Sequence, residues 1–509
     1  MKKQNEWRKI LSAGGRILLY GIFAFLPVLW LILTGPESSI PIMNERKWGL
    51  LEQSVRIAVS SCFLCLLIAF FGAMGLYQLF PKRRHFRWFF LLLAPLPAYI
   101  YALTYMNLIR FFGTWIPSLL RSPIAGLFPC ILVETMAYLP FATACALIAL
   151  EQVNTGEWKA ALLMEKGDGV FFRVLLPGQL PYLLAMGAVI FVLSVTDYSI
   201  PSLFQVNVYA MEIFSDYSAM GNSLYSLKLS LPLIVVAVAV TLPCLLPLRT
   251  IRRPMTAGEI VNPCLSPALK GICYLGVLVL VLQILLPILS LLPFLVELAK
   301  AFVPAGRELL YSGESGILAV LILTPVAAQL ALLLAKKRST LLWIVTLLPL
   351  SIPGVLSGIG VCRMFSDLHL SAFRNGLFMP AVGMAIRYLP FSVIIQFGAY
   401  LRMDKDKLSA AYLLQGKKGG AFFRVQLFMM RPGLLISGIV VFLLMLGDVG
   451  TALMLMQPGR EPLSVKIYNY LHYGASETVA VFCLLQILCC LVGMGLIYLF
   501  LERKKTCWK

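Results

Sequence analysis

Stretches of some twenty apolar residues recur along the whole chain, and they limit its fold more than any other feature. The first, Ile17 to Gly35 (ILLYGIFAFLPVLWLILTG), is long enough to cross a bilayer, which takes ~20 residues. Its apolar part exceeds the ~7–15 residues of a signal-peptide core, and no small-residue cleavage site follows, so it reads as a retained first helix. Further runs occupy 53–79, 88–110, 125–150, 181–204, 229–248, 270–296, 315–335, 340–363, 377–401, 432–457 and 477–501. A membrane β-barrel would instead show ~10-residue segments of alternating polarity. Composition agrees: 60% of the 509 residues are hydrophobic and 13% are charged, whereas a soluble chain carries about a quarter charged residues. The expected fold is an all-α polytopic membrane protein of about twelve transmembrane helices.

Placing the N-terminus in the cytoplasm puts most of the 43 lysines and arginines on that side, at 2–16, 82–87, 159–173, 249–270, 336–338, 402–431 and 503–509. The positive-inside rule then puts both termini in the cytoplasm of a multi-pass protein of the cell membrane. The net charge of +20 reads as a basic inner face against anionic lipid, not as a nucleic-acid surface. The twelve cysteines fall mostly in apolar runs, and Cys62-x-x-Cys65 reads as buried hydrophobes before it reads as a metal or redox pair. His85, His369 and His472 are too scattered for a metal cage, so no metal site, catalytic set or cofactor is expected in this chain.

The second half of the chain repeats the first. Tyr-Leu-Pro-Phe occurs at Tyr138–Phe141 and again at Tyr388–Phe391, 250 positions on. Phe-Phe-Arg-Val recurs at Phe171–Val174 and Phe422–Val425, LSVTDYSIPSLF around Asp197 pairs with LMLGDVGTALML around Asp448, and Pro181 pairs with Pro432. Several matches at one offset imply two homologous halves of about six helices, 1–255 and 256–509, joined by a polar linker at 249–270. An even helix count keeps the halves parallel about an axis along the membrane normal, with any pathway between them. Pro140 and Pro390 lie inside matched helices and are read as duplicate kinks.

The longest cytoplasmic loops, 151–180 and 402–431, also match. Each has a helix-favouring stretch (Trp158–Met164 and Leu408–Gln415), then glycines (Gly167 and Gly169; Gly416, Gly419 and Gly420), then Phe-Phe-Arg-Val and a proline. The pattern describes a surface helix, a tight turn and a return to the membrane. Such a helix can serve as a knob for a cytoplasmic partner.

These loops resemble the Glu-Ala-Ala loops of ABC importer permeases. In the family register the Glu-Ala-Ala positions fall on Trp158, Lys159 and Ala160, and on Ser409, Ala410 and Ala411, so the glutamate is missing from both. The family glycine position falls on Met164 and Gln415, and Phe428 stands where the second proline is due. The segment Gly447–Ala480, with its Pro-Gly and His-Tyr-Gly-Ala, resembles the last outer loop of fused two-half permeases of the iron(III) type. Leu347–Val361 resembles their Pro-rich third helix; thiamine, polyamine and phosphonate permeases are similar in pattern.

The resemblance implies a transport subunit that is not itself an enzyme. Two copies of a separate ATPase, carrying the ATP, would bind the loops, and an extracytoplasmic binding protein would deliver the cargo, iron(III) or a similar small solute. Ala160, Ala161, Ala410 and Ala411 would face the ATPase. Gly167 and Gly416 would make the turns, and Phe171, Phe172, Arg173, Phe422, Phe423 and Arg424 would anchor the loops. The chain contains no G-x-x-x-x-G-K-[ST] phosphate loop.

Asp197 and Asp448 fall near the outer ends of the fifth and eleventh runs. A carboxylate at membrane depth costs about 2.5–3.5 kcal/mol on insertion scales, so each should face a cavity or a partner, as part of a pathway or gate or as an outer cap. Glu134, Arg363 and Arg387 are read as structural ion-pair residues. An ion-coupled secondary transporter also fits twelve helices in two halves, although its intramembrane acids would be more numerous. A membrane-embedded enzyme would need a catalytic cluster, which the runs do not contain.

Overall fold

The computed structural model describes residues 2–34, 43–80, 86–115, 126–151, 153, 155–164, 168–245, 265–336, 339–401, 403–414, 422–457, 459–474 and 476–506. The described chain is helical throughout, with a lone bridge between Gln457 and Arg460. In order the helices are α1 (Lys2–Thr34), α2 (Glu45–Leu79), α3 (Phe86–Leu93), α4 (Ala98–Trp115), α5 (Leu127–Leu150), α6 (Thr155–Met164), α7 (Leu176–Val195), α8 (Ser199–Leu203), α9 (Tyr209–Met220) and α10 (Ser223–Leu245). There follow α11 (Pro267–Leu291), α12 (Leu298–Lys336), α13 (Thr340–Leu347), α14 (Gly354–Asp367), α15 (Phe378–Leu401), α16 (Lys405–Leu414), α17 (Leu427–Leu446), α18 (Gly450–Leu455), α19 (Leu463–Tyr473) and α20 (Ser476–Thr506).

Ten helices among the described residues are long and apolar enough to span a membrane. Two further stretches reach that length only as bent pairs. Phe86–Leu93 and Ala98–Phe112 meet at 86°, and Thr340–Ser351 and Gly354–Asp367 meet at 87°. The runs 88–110 and 340–363, each read as one helix, are therefore broken. Each break carries two prolines, Pro95 and Pro97 in one and Pro349 and Pro353 in the other. Proline lacks the N–H that continues a helix and excludes α geometry from the residue before it. The fifth and eleventh runs also stop early, at Val195 and Leu446, and give way to the short helices α8 and α18. The linker lies largely outside the described residues.

Large apolar side chains point outward along α1 (Leu18, Leu29, Leu33) and α11 (Leu275, Leu278, Ile288), each roughly half exposed or more. In water such stripes would aggregate; on a membrane protein they are the lipid-facing belt. The chain is an all-α polytopic membrane protein.

Both helices pack on the far half of the chain. α1 lies on α14, where a Cβ at Gly360 would come 2.8 Å from Pro27 O. The Tyr20 hydroxyl donates to Thr346 O at 2.8 Å, and Trp30 Nε1 donates to Asp367 Oδ2 at 3.1 Å. α11 lies on α2 so closely that a Cβ at Gly276 would sit 2.6 Å from Gly72 N and one at Gly75 would sit 2.5 Å from Cys273 O. Small residues at such crossings let backbones touch where lipid supplies no hydrophobic drive.

The remaining helices pack in matched sets, α2 with α5 and α7, and α12 with α15 and α17. The helix runs unbroken through Pro140 in α5 and Pro390 in α15. Proline at 140 leaves the carbonyl of Met136 without its helical donor, and Gln283 Nε2 of α11 donates to that oxygen at 3.3 Å.

Gly276→Ala should force α2 and α11 apart and cost about 1–3 kcal/mol, read as a lower Tm of the purified protein. Gly271→Ala, on the same helix with nothing within 4 Å, should leave Tm unchanged. Equal Tm for the two variants would contradict the close crossing.

Candidate functional site

Where α7 ends, the chain turns at Thr196 and restarts as α8, and Asp197 caps the new helix. Its Oδ1 accepts from Ser199 N at 3.0 Å and from Ser199 Oγ at 2.7 Å, and its Oδ2 accepts from Ile200 N at 3.4 Å. Asp448 does the same after α17: its Oδ1 accepts from Thr451 N of α18 at 3.3 Å. A short acidic side chain at this position satisfies N–H groups that a helix start leaves free. Both aspartates are thus helix caps, Asp448 buried and Asp197 half-buried.

A cation lies beside Asp448. Arg387 Nε lies 3.7 Å from Asp448 Oδ2, with the two side chains 19% and 5% exposed. Asp197, from the other half, is within electrostatic reach of the same guanidinium. Glycines make the room: a Cβ at Gly354 would come 2.4 Å from Arg387 Nη1 and 2.7 Å from Thr451 Oγ1, and one at Gly450 would come 3.3 Å from the Tyr198 ring. Both tyrosines of the repeated tetrapeptide, Tyr138 and Tyr388, border this charged layer. Tyr198 stacks on Phe214 at 5.7 Å. Ser202 of α8 and Tyr468 of α19 share a hydrogen bond that joins the two halves. Nearby, Glu134 is buried, its Oε2 accepting from Ser194 Oγ while its Oε1 has no hydrogen-bond partner. Among the described residues no three His, Cys, Asp or Glu side chains gather as a metal cage.

Charge also fixes the short helices at the same end of the bundle. Arg46 and Lys47 at the start of α2 pair with Glu212 and Asp216 of α9 at 2.8 and 2.9 Å. In the other half the signs are exchanged: Lys466 of α19 pairs with Glu308 of α12 at 2.5 Å.

The second feature is a pair of ten-residue helices, α6 and α16, each leading into a π-helical turn at Phe-Phe-Arg-Val (Phe171–Leu175 and Phe422–Gln426). Ala160 and Ala410 are exposed, and Ala161 and Ala411 are half-buried. Highly exposed apolar side chains lie just beyond, Leu163 and Met164 at 90% and Leu413 and Leu414 at 84% and 87%. Phe171 is buried against Phe70 and Phe71, each at 6.2 Å, whereas Phe172, Arg173 and Arg424 face outward. Gly167, Gly416 and the side chains of Phe422 and Phe423 lie outside the described residues.

The two helices are held differently. Glu151, fully buried at the end of α5, pairs with Arg87 and lies 3.0 Å from the Tyr77 hydroxyl. Asp168, after α6, accepts from Ser266 N at 2.8 Å and so ties the loop to the start of α11. α16 instead starts at Asp404, whose Oδ1 accepts from the N–H groups of Asp406 and Lys407 at 3.0 and 3.2 Å. The Lys407 N–H, with that of Asp406, holds its carboxyl below the usual carboxylate range.

Sequence reasoning missed the pairing of Arg387 with Asp448, since the two are far apart in the chain. It also missed the exposed tips, because Leu163 and Leu413 look like core residues of a helix. The signal that could have found them is apolar residues outside any span, at equal places in both loops.

No family model matches the chain. Over 203 residues it is 29% identical to the molybdenum transport system permease protein ModB of Mycobacterium bovis, and equally to the protein of that name from Mycobacterium tuberculosis. The match covers 36% of this chain and 74% of each relative. With ten membrane-length helices, this likeness supports the ABC importer permease class, a multi-pass transport subunit rather than an enzyme.

Arg87→Met should leave the Glu151 carboxylate buried and unpaired, at a cost of about 3–5 kcal/mol, seen as a large fall in Tm. Arg56→Met, which breaks the exposed pair with Glu52, should change stability by no more than about 0.5 kcal/mol.

Proposed function

We propose that the chain is the permease subunit of an ATP-driven ABC importer in which two homologous halves, 1–255 and 256–509, are fused. The observation that carries this reading is the duplicated α6 and α16. Each ends in two large apolar side chains that nothing among the described residues covers. Two copies of an ATPase would cover them, with Ala161 and Ala411 on the faces behind the tips. The lengths of the relatives fit a fusion, since 203 aligned residues make up 74% of each. Both chain termini would lie with α6 and α16 in the cytoplasm, and a binding protein would deliver cargo to the opposite face, near α9 and α19.

For the cargo we favour a small hard cation such as iron(III). Asp197, Asp448 and Glu134 outnumber Arg387 at the layer between the halves, and carboxylates suit hard ions. With so few oxygen ligands the permease would hold the ion weakly, leaving affinity to the binding protein. A second reading, a molybdenum oxyanion, is favoured by the relatives and by Arg387 itself.

The paired substitution Ala161→Arg with Ala411→Arg should abolish co-purification with the ATPase while the protein still inserts; retained co-purification would refute the coupling role. In proteoliposomes with ATPase and binding protein, ATP-dependent iron uptake is expected, and Asp197→Asn with Asp448→Asn should slow it without preventing docking of the binding protein. Molybdate uptake in its place would overturn the cation reading, and uptake without ATP would overturn the importer reading.

A further inference from the structure

Glu134 is the eighth residue of α5, a helix long and apolar enough to span a membrane, so it lies about 10 Å from the helix start at 1.5 Å per residue. It is 1% exposed. One carboxyl oxygen, Oε2, shares a hydrogen bond with Ser194 Oγ of α7, and the other, Oε1, has no hydrogen-bond partner. Read from the sequence as an ion-pair residue, Glu134 has no such pair: among the described residues every contact between a carboxylate and a cation involves another acid. The groups that face it are Ser61 of α2, Ser194 and Asp197 at the end of α7, and Cys130 and Tyr138 on α5 itself, none of them a cation.

An ionised carboxylate left without a partner in an apolar medium costs far more than a neutral acid, and a group so placed takes up a proton instead. Glu151 makes the contrast. It is buried to the same extent, but it meets Arg87 and the Tyr77 hydroxyl. Nor does packing require the acid. The offset of the repeated tetrapeptide places Met384 at the position of Glu134, and the offset of the two aspartates places Met445 at the position of Ser194. Both methionines are buried in the second half, where they line a small cavity beside Tyr311. Two apolar side chains therefore build the same helix contact there, and the acid–hydroxyl pair of the first half is not needed for it.

We propose that Glu134 is a proton-binding site within the membrane, a neutral carboxylic acid whose proton lies on Oε2 and is shared with Ser194 Oγ. Oε1 is then a carbonyl oxygen, and an unpartnered neutral acceptor costs much less than an unpartnered charge. Asp197 and Asp448, held by the N–H groups of the helices that they cap, are the acids that remain charged at this layer. Glu134 joins them only by giving up its proton. The cation reading above then rests on the two aspartates, whereas the proton site does not depend on that reading.

Infrared spectra of the purified protein at neutral pH, without ATPase or cargo, test the proposal separately from the importer reading. The wild type should show a carboxylic-acid C=O band that is lost in Glu134→Gln, with the carboxylate bands unchanged. Ser194→Ala removes the hydroxyl that shares the proton and keeps the acid, so the band should remain and move to higher frequency. Loss of carboxylate intensity in Glu134→Gln, as an ionised glutamate would give, overturns the proposal, and so does a carboxylic-acid band that Ser194→Ala leaves unshifted. Should Glu134→Gln fail to fold, the wild type grown with glutamate labelled by heavy carbon at its side-chain carboxyl carries the test. The carboxylic-acid band must then be present and must move with the label, and a spectrum without such a glutamate band overturns the proposal.

Discussion

A guanidinium deep in an apolar bundle, paired with the aspartate that caps α18, is the interaction on which the organisation of this protein turns. Lipid gives helices no hydrophobic reason to choose one partner over another. Charge does, because an unpaired ion in that medium is costly. The two aspartates are fixed first, as caps of α8 and α18, and those helices exist because the spans before them stop at Val195 and Leu446. Arg387 then pairs with the cap of α18.

The exchange of α1 and α11 sets which parts move together. α11 is joined to α2 by backbone contact at Gly72, Gly75 and Gly276 and to the loop that carries α6 by Asp168 and Ser266. α1 is joined to α13 and α14 through Tyr20, Pro27 and Trp30. Each helix therefore packs on the far half of the chain, and the halves meet again at Tyr198, Ser202 and Tyr468. The buried Glu151–Arg87 pair gives α6 a rigid footing, and α16 hangs from the exposed turn at Asp404. The two surface helices repeat in sequence and are mechanically unlike.

Much of this was legible in the sequence. Continuous apolar runs placed the spans, and the offset between Asp197 and Asp448 marked them as equivalent before their surroundings were known. The surface helices α6 and α16 were found because helix formers, glycines and Phe-Phe-Arg-Val repeat outside the membrane runs. Other features could not be read. Hydropathy is blind to a bend whose two arms are both apolar, so the breaks at Pro95 and Pro97 and at Pro349 and Pro353 looked like straight helices. The packing of α11 on α2 depends on glycines that look unremarkable until two backbones meet. Arg387 was read as a structural ion-pair residue, but its partner Asp448 lies on another helix and could not be named.

The surface tips and the charged layer belong to one mechanism if ATP-driven motion at α6 and α16 opens or shuts the layer where Arg387 lies. Leu163 and Leu413 stand at the two tips, both almost fully exposed, and provide sites for a pair of spin labels. The distance between the labels, measured by pulsed electron resonance in the complex with the ATPase, should shorten when ATP is bound and lengthen again after hydrolysis. A distance that is the same with and without ATP would contradict the account.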